Sequence, residues 1–341
     1  MSKILTSNQR INAFEALGNI LRYPDLELME LINSAHRYNA WFTPQNASMA
    51  LRAIAEMLDP EDLKKWINIE PKKLETKIRS IGLILAGNIP IVGFHDVICV
   101  LASGHKALIK LSSSDQKFIP FILDKLTEIE PGFRQQISYI DRLKDFDAVI
   151  ATGSNNTSRY FDYYFSKVPH IIRKNRNSVA ILNGQESRDE LKALGHDIFD
   201  YFGLGCRSVS KIYVPQGYDF SIFFEAIEDF RSVADHHKYS NNYDYNKSIF
   251  LVNLDTHLDN GFLLLKEDTR LASPLAVLYY EQYQNLAKVE SQLLNNQELI
   301  QCVVSKSLLT IPTVNFGETQ CPRLFDYADG VDTMKFLKEL K

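Results

Sequence analysis

The sequence predicts an α/β protein of two α/β domains with parallel sheets, preceded by a helical segment. Three observations predict it. Residues 81–86, 106–111 and 147–151 are short, largely apolar runs, as strands buried in a parallel sheet require. Each ends in a polar turn followed by a helical pattern, the alternation that right-handed crossovers produce. A chain of 341 residues also exceeds one ordinary core, so two are expected.

The elements follow in order. Residues 1–75 form a helical, polar segment. Ile11, Phe14, Leu17 and Leu21 make one apolar stripe, and Leu28, Leu31 and Ile32 another. Pro24, Pro44, Pro60 and Pro71 punctuate them, because proline ends helices rather than continuing them. No chemistry shows there, only a lid, a packing layer or a dimer contact. In residues 76–176 the run at 81–86 leads to Gly87-Asn88-Ile89-Pro90 and a helix over 92–102. The run at 106–111 leads to Ser112-Ser113-Ser114-Asp115 and a helix over 118–130; that at 147–151 leads to Thr152-Gly153-Ser154-Asn155-Asn156 and a helix over 158–165. Residues 170–173 are a candidate fourth strand. In parallel sheets ligands bind at the carboxyl ends of strands, where all these polar turns fall. No G-x-G-x-x-G occurs, so the ordinary dinucleotide fingerprint is missing.

Residues 177–312 read as a second α/β unit. Strands are expected at 178–182, 211–214, 248–252, 262–265, 275–279 and 299–304, with helices over 190–202 and 220–234. The Asn-rich stretch 241–246 reads as an irregular loop. Within this unit, Gly203-Leu204-Gly205-Cys206 lies between a helix carrying Leu191, Leu194, Ile198 and Phe202 on one face and the strand at 211–214. Glycines there let backbone amides approach whatever binds beside the sulfur. Such a turn suits a nucleophilic thiol next to an oxyanion-stabilising amide. The alternative is a small core hydrophobe, where most such cysteines end up.

Composition narrows the function. Hydrophobic residues make up 45% and charged residues 23%, as in a soluble globular protein. A net charge of −4 argues against a nucleic-acid binder. No apolar run spans a bilayer, and Met1-Ser2-Lys3-Ile4 opens no signal peptide. Cys99, Cys206, Cys302 and Cys321 form no C-x-x-C pair, so neither a disulfide framework nor a metal site is expected, and a reducing cytoplasm is the simplest home.

Taken in order, these turns resemble the aldehyde dehydrogenase superfamily, and most of all its bacterial acyl-CoA reductase branch. The resemblance covers residues 81–214 and a C-terminal patch, Asn315-Phe316-Gly317-Glu318 with residues 326–332. It rests on four short signals, each at a strand boundary. Gly-Asn-Ile-Pro stands where the superfamily has Trp-Asn-Phe-Pro, and implies that the Asn88 amide, with the Cys206 N–H, holds the substrate oxygen as it becomes negative, an effect of about 3 kcal/mol. Lys110-Leu111-Ser112-Ser113 stands for Lys-Pro-Ser-Glu, whose lysine and glutamate bind the adenosine ribose. With Ser113 in place of that glutamate no carboxylate repels a 2′-phosphate, so the resemblance implies NADPH. Gly153-Ser154 matches the turn under the pyrophosphate, although the glycine that follows in the family is Ser158 here. Cys206 stands as the family's nucleophilic cysteine, its turn in place of Gly-Gln-x-Cys before a strand, at about the family's spacing from Ser154.

Read otherwise, Asn88 is a turn asparagine, Lys110 a solvated charge, and Gly153-Ser154 a helix cap. One departure informs the reaction. Where hydrolytic relatives keep a water-activating glutamate, this chain has Ile172-Arg173-Lys174-Asn175, which points to acyl-thioester chemistry. For the acid that fixes the nicotinamide ribose, Glu267, Asp268 and Arg270 all stand near the expected place.

The resemblance thus implies an aldehyde dehydrogenase-like fold with a variant Rossmann cofactor domain at 76–176, rejoined by 313–341, and a catalytic domain at 177–312. It implies NADPH-dependent reduction of an acyl-CoA to the aldehyde through a cysteine acyl-enzyme. Rival readings are an acyl-phosphate reductase, a cofactor-free cysteine acyltransferase or thioesterase, and a non-catalytic scaffold. A homodimer and an acyl-activating enzyme remain open as partners. Phe161, Tyr163, Tyr164 and Phe202 suit an acyl tunnel and core packing equally well.

Overall fold

The computed structural model describes residues 5–68, 77–153 and 155–340. They fall into two compact units, one drawn from residues 1–175 and 321–341, the other from 176–320. Pro71 lies outside the described residues.

The first unit opens with four helices, α1 (Ser7–Arg22), α2 (Leu26–Ser34), α3 (Pro44–Met57) and α4 (Pro60–Asn68). A reciprocal cap between Thr6 and Gln9 starts α1, whose stripe of Ile11, Phe14, Leu17 and Leu21 is buried. Pro44 and Pro60 each stand at a helix start, where the N–H that proline lacks would have no helical partner. Next come β1 (Ser80–Ile84), α5 (Phe94–Ala102), β2 (Lys106–Lys110), α6 (Phe118–Ile129), β3 (Ile137–Tyr139), β4 (Ala148–Thr152), α7 (Asn155–Phe165) and β5 (His170–Arg173). The five strands are parallel, in the order β3-β2-β1-β4-β5. The chain winds outward from β1 to β3, then restarts on the other side at β4. The order therefore reverses between β1 and β4, the place where a doubly wound sheet opens its ligand crevice. Because α1 packs on α3, α4 and α6, the N-terminal helices are a packing layer on this unit.

The second unit holds β6 (Asn177–Ile181), α8 (Arg188–Phe199), β7 (Val209–Pro215), α9 (Phe220–Ala226), α10 (His237–Val252), β8 (Leu258–Asp259), β9 (Leu264–Glu267), β10 (Val277–Tyr283), α11 (Leu286–Asn295) and β11 (Ile300–Val304). Its sheet runs β11-β6-β7-β10-β9-β8, parallel except for the short edge strand β8. Leu191, Leu194, Ile212, Phe223 and Leu265 close its main core. Residues 313–320 stay with this unit: Val314 bridges to Val304, and Asp197 accepts the N–H groups of Gly317 (2.7 Å) and Thr319 (3.0 Å). A last helix, α12 (Thr333–Lys338), packs on α5 of the first unit.

Expectations for two stretches of the second unit, 220–234 and 241–252, are corrected. The loop at 241–246 and the strand at 248–252 are one helix, α10. Tyr239, Tyr243, Asn246 and Phe250 recur at helical spacing and are buried, and that burial overrides the poor helix propensity of asparagine. Asn242 and Asn246 also donate back to the carbonyls of Lys238 (2.7 Å) and Asn242 (2.9 Å), so their amides are satisfied within the helix. The helix expected over 220–234 breaks after α9 and continues as 3₁₀ turns over Glu228–Asp235. Among the described residues no helix is long and apolar enough to cross a membrane.

Candidate active site

In the first unit the expected residues gather at the carboxyl ends of β1, β2 and β4. Asn88 is exposed in the turn after β1. Lys110 ends β2 and is exposed; it sits beside Ile84 in the register, and its carbonyl accepts the Leu85 N–H at 3.1 Å. Ser113 is exposed in the following loop, and the Ser112 hydroxyl accepts the Ser114 N–H at 3.2 Å. The loops after β1 and β2 touch directly. A Cβ on Gly87 would lie 2.5 Å from Ser112 Oγ, so only glycine fits beside that hydroxyl. Gly153, just after β4, is also close-packed: a Cβ there would lie 2.9 Å from the Phe161 ring of α7. Ser154 lies outside the described residues. This glycine-lined strand edge, with hydroxyls and a lysine at its rim, fits a phosphorylated ligand.

Two residues here were not legible as partners. Asp115, 2% exposed, joins the loops: one carboxylate oxygen accepts the Ile91 N–H at 2.9 Å and the other the Phe118 N–H at 3.3 Å. Burial pushes its carboxyl above the usual range, against the pull of those bonds. Arg173, at the place of the missing glutamate, points into the protein. It forms a bidentate pair with the buried Asp96 of α5 (2.6 and 3.0 Å) and also binds Ala328 O and Thr333 Oγ1. It is a structural pin between β5, α5 and the C-terminal return. Tyr163 and Tyr164 of α7 are 78% and 71% exposed, so core packing does not account for them.

In the second unit, α8 ends at Phe199, earlier than expected, because Tyr201, Phe202 and Gly203 all take left-handed backbone angles (φ 54°, 58° and 75°). This reversal puts Phe202 against His236, with ring centres 4.4 Å apart, and brings the chain round to the Cys206 turn. Cys206 is exposed, at the amino end of β7. Its turn is anchored on several sides. The buried Ser178, which pairs with Val209 in the sheet, donates its hydroxyl to the Cys206 carbonyl at 3.0 Å. Ser208 Oγ accepts the Gly205 N–H and the Gln320 amide, each at 3.3 Å. The Arg207 guanidinium reaches Cys302 Sγ at 3.4 Å and Thr319 O at 3.5 Å. Further along, Asp268 pairs with Arg270 at 2.6 Å, and the Arg270 hydrogen bonds hold its carboxyl down at about 2. Glu267 is exposed at the end of β9.

Comparison with known proteins agrees with this layout. Aldehyde dehydrogenase 21 from Physcomitrella patens, solved with succinate, superposes with a TM-score of 0.68 at 12% identity, over 98% of this chain and 85% of its own. A variant of the P. syringae indole-3-acetaldehyde dehydrogenase AldA, solved with NAD+ and IAA, gives 0.64 at 10% identity, over 90% and 73%. The aldehyde dehydrogenase KauB from Pseudomonas aeruginosa gives 0.62 at 12%, over 90% and 73%. At such identities the likeness is one of fold, and that fold is the aldehyde dehydrogenase fold. No curated protein matches the sequence. A family model described as acyl-CoA reductase (LuxC) matches residues 21–225, a stretch that includes the three strand-end turns and Cys206. By that match over more than half its length, the chain belongs to the acyl-CoA reductase (LuxC) family.

Proposed function

We propose that the protein reduces an acyl-CoA thioester to the aldehyde with NADPH, through a covalent acyl group on Cys206. The carrying observation is the exposed Cys206 turn, anchored by Ser178, Ser208 and Arg207 inside the family-matched stretch. The Cys206 thiolate attacks the thioester carbonyl, the bond to the CoA sulfur breaks, and CoA leaves as a thiolate that takes up a proton. NADPH, when bound, supplies the hydride that reduces the resulting acyl-enzyme. The Asn88 amide and the Cys206 N–H donate to the oxygen as it becomes negative, and collapse of the thiohemiacetal frees the aldehyde and restores the thiolate.

The remaining residues divide between the halves of the cofactor. Lys110, Ser112 and Ser113 take the adenosine ribose and its 2′-phosphate, while Gly153 and Ser154 take the pyrophosphate. Ser113 offers a hydroxyl where a carboxylate would repel the extra phosphate, and Lys110 supplies a matching charge. Asp268 and Arg270 neutralise each other, which leaves Glu267 to fix the nicotinamide ribose. The test follows reduced-nicotinamide absorbance with a panel of acyl-CoAs and maps the trapped acyl group by mass spectrometry. NADPH should be consumed, with the adduct on Cys206. An adduct on Cys302 or Cys321, or no consumption with any acyl-CoA, overturns the reading.

A further inference from the structure

We infer that Asp115 is a positioning residue that clasps the Asn88 turn to the loop after β2, so that one buried carboxylate sets the geometry of both. The inference rests on the proposed function for the role of Asn88, and on the geometry alone for the clasp. The turn after β1 carries backbone strain. Ile91, three residues past Asn88 and 2% exposed, has φ of 62°, a left-handed angle that a β-branched residue avoids. Backbone strain of this kind persists only where neighbouring structure enforces it.

Asp115 Oδ2 takes the N–H of that same residue at 2.9 Å, while Oδ1 takes the Phe118 N–H at 3.3 Å, where α6 begins. Ser112 bridges to Asp115 and packs against Gly87, so residues 87 and 91 are both pressed onto the 112–118 loop. Within this unit no ion pair competes for the carboxylate among the described residues, and its two oxygens are committed to two different loops. A ligand that seats on Ser112 and Ser113 therefore bears on the same clasp that aims Asn88.

Asp115→Asn keeps the shape and one acceptor oxygen but sets an amide NH₂ against one backbone N–H. Amide exchange over residues 85–94 should quicken by about tenfold or more. The turnover number should fall about tenfold, because misplacement of a catalytic group by a fraction of an ångström is costly, with KM for acyl-CoA changed less than about twofold. In an Asn88→Ala background the same substitution should then cost little more, because it acts through Asn88. Unchanged exchange over 85–94, or kinetic effects that multiply in the double variant, overturns the inference. If Asn88→Ala turns over like the wild type, the oxyanion reading is what has failed, and exchange alone judges the clasp. If Asp115→Asn does not fold, the wild type decides: the Ile91 and Phe118 amides must both exchange about a hundredfold slower than open turn amides, and fast exchange at Ile91 overturns the clasp.

Discussion

The two units place the turns of the proposed site at opposite ends of their strands. In the first, Asn88, Ser112, Ser113 and Gly153 follow β1, β2 and β4, so the turns lie at carboxyl ends where helices begin. In the second, Cys206 precedes β7, beside Ser178 near the start of β6. Each end suits a different charge. A carboxyl-end turn leads into a helix N-terminus, whose partial positive charge and open N–H groups suit phosphates and oxyanions. An amino-end turn follows a helix C-terminus, whose partial negative charge would disfavour a thiolate. Here α8 stops at Phe199, and the left-handed run Tyr201–Phe202–Gly203 turns the chain aside before Cys206. Arg207 follows Cys206, and its guanidinium is held at Cys302 and Thr319.

The largest effect expected separates the two ends outright. If the amino-end turn alone does covalent chemistry, Cys206→Ala loses acyl labelling and reduction altogether while the fold is kept, because only the thiolate is removed. Substitutions at the carboxyl ends slow the reaction but leave slow labelling at Cys206. Residual labelling in Cys206→Ala, read by mass spectrometry, would put covalent chemistry at another residue.

How much of this was legible depends on whether a residue's role is local. The strands at 81–86, 106–111 and 147–151 could be read because burial in a parallel sheet demands largely apolar runs. The turns could be read because glycine, asparagine and serine betray them directly. Residues 241–252 misled because α10 is held by buried Tyr239, Tyr243 and Phe250, and by asparagine amides bonded along the helix, against local propensity. Asp115 and Ser178 carried no signal. Each matters through a backbone group 24 or 28 positions away, and such pairings exist only once the sheets have formed. Arg173 looked like part of an emptied catalytic position, yet its partner Asp96 lies 77 positions away and turns it into a structural pin.

Ser113 is exposed at the rim of the first unit, and Lys110 ends β2 three residues before it. Ser113→Glu should weaken NADPH binding about tenfold with little change for NADH, since a carboxylate repels a 2′-phosphate at short range in a partly screened site. Titration of each cofactor by fluorescence checks it. Equal losses for NADH and NADPH would move the ribose pocket away from this loop.

The smallest effect tests the amino-end half, and it falls on Ser178. This hydroxyl is buried and donates to the Cys206 carbonyl at 3.0 Å, one of several anchors on the turn. Its partner is a backbone oxygen, so Ser178→Ala removes a neutral hydrogen bond worth about 1 kcal/mol. The remaining anchors, Ser208 and Arg207, keep the turn in place. The turn should therefore loosen rather than collapse, with acylation slowed about fivefold and cofactor binding untouched. Ser178→Thr restores the donor and should restore the rate if the β-branched side chain fits beside Val209. A hundredfold loss in Ser178→Ala would mean that the turn hangs on this one bond. No loss would mean that Arg207 and Ser208 alone define it. Single-turnover measurement of CoA release separates these outcomes, because it reads acylation apart from hydride transfer.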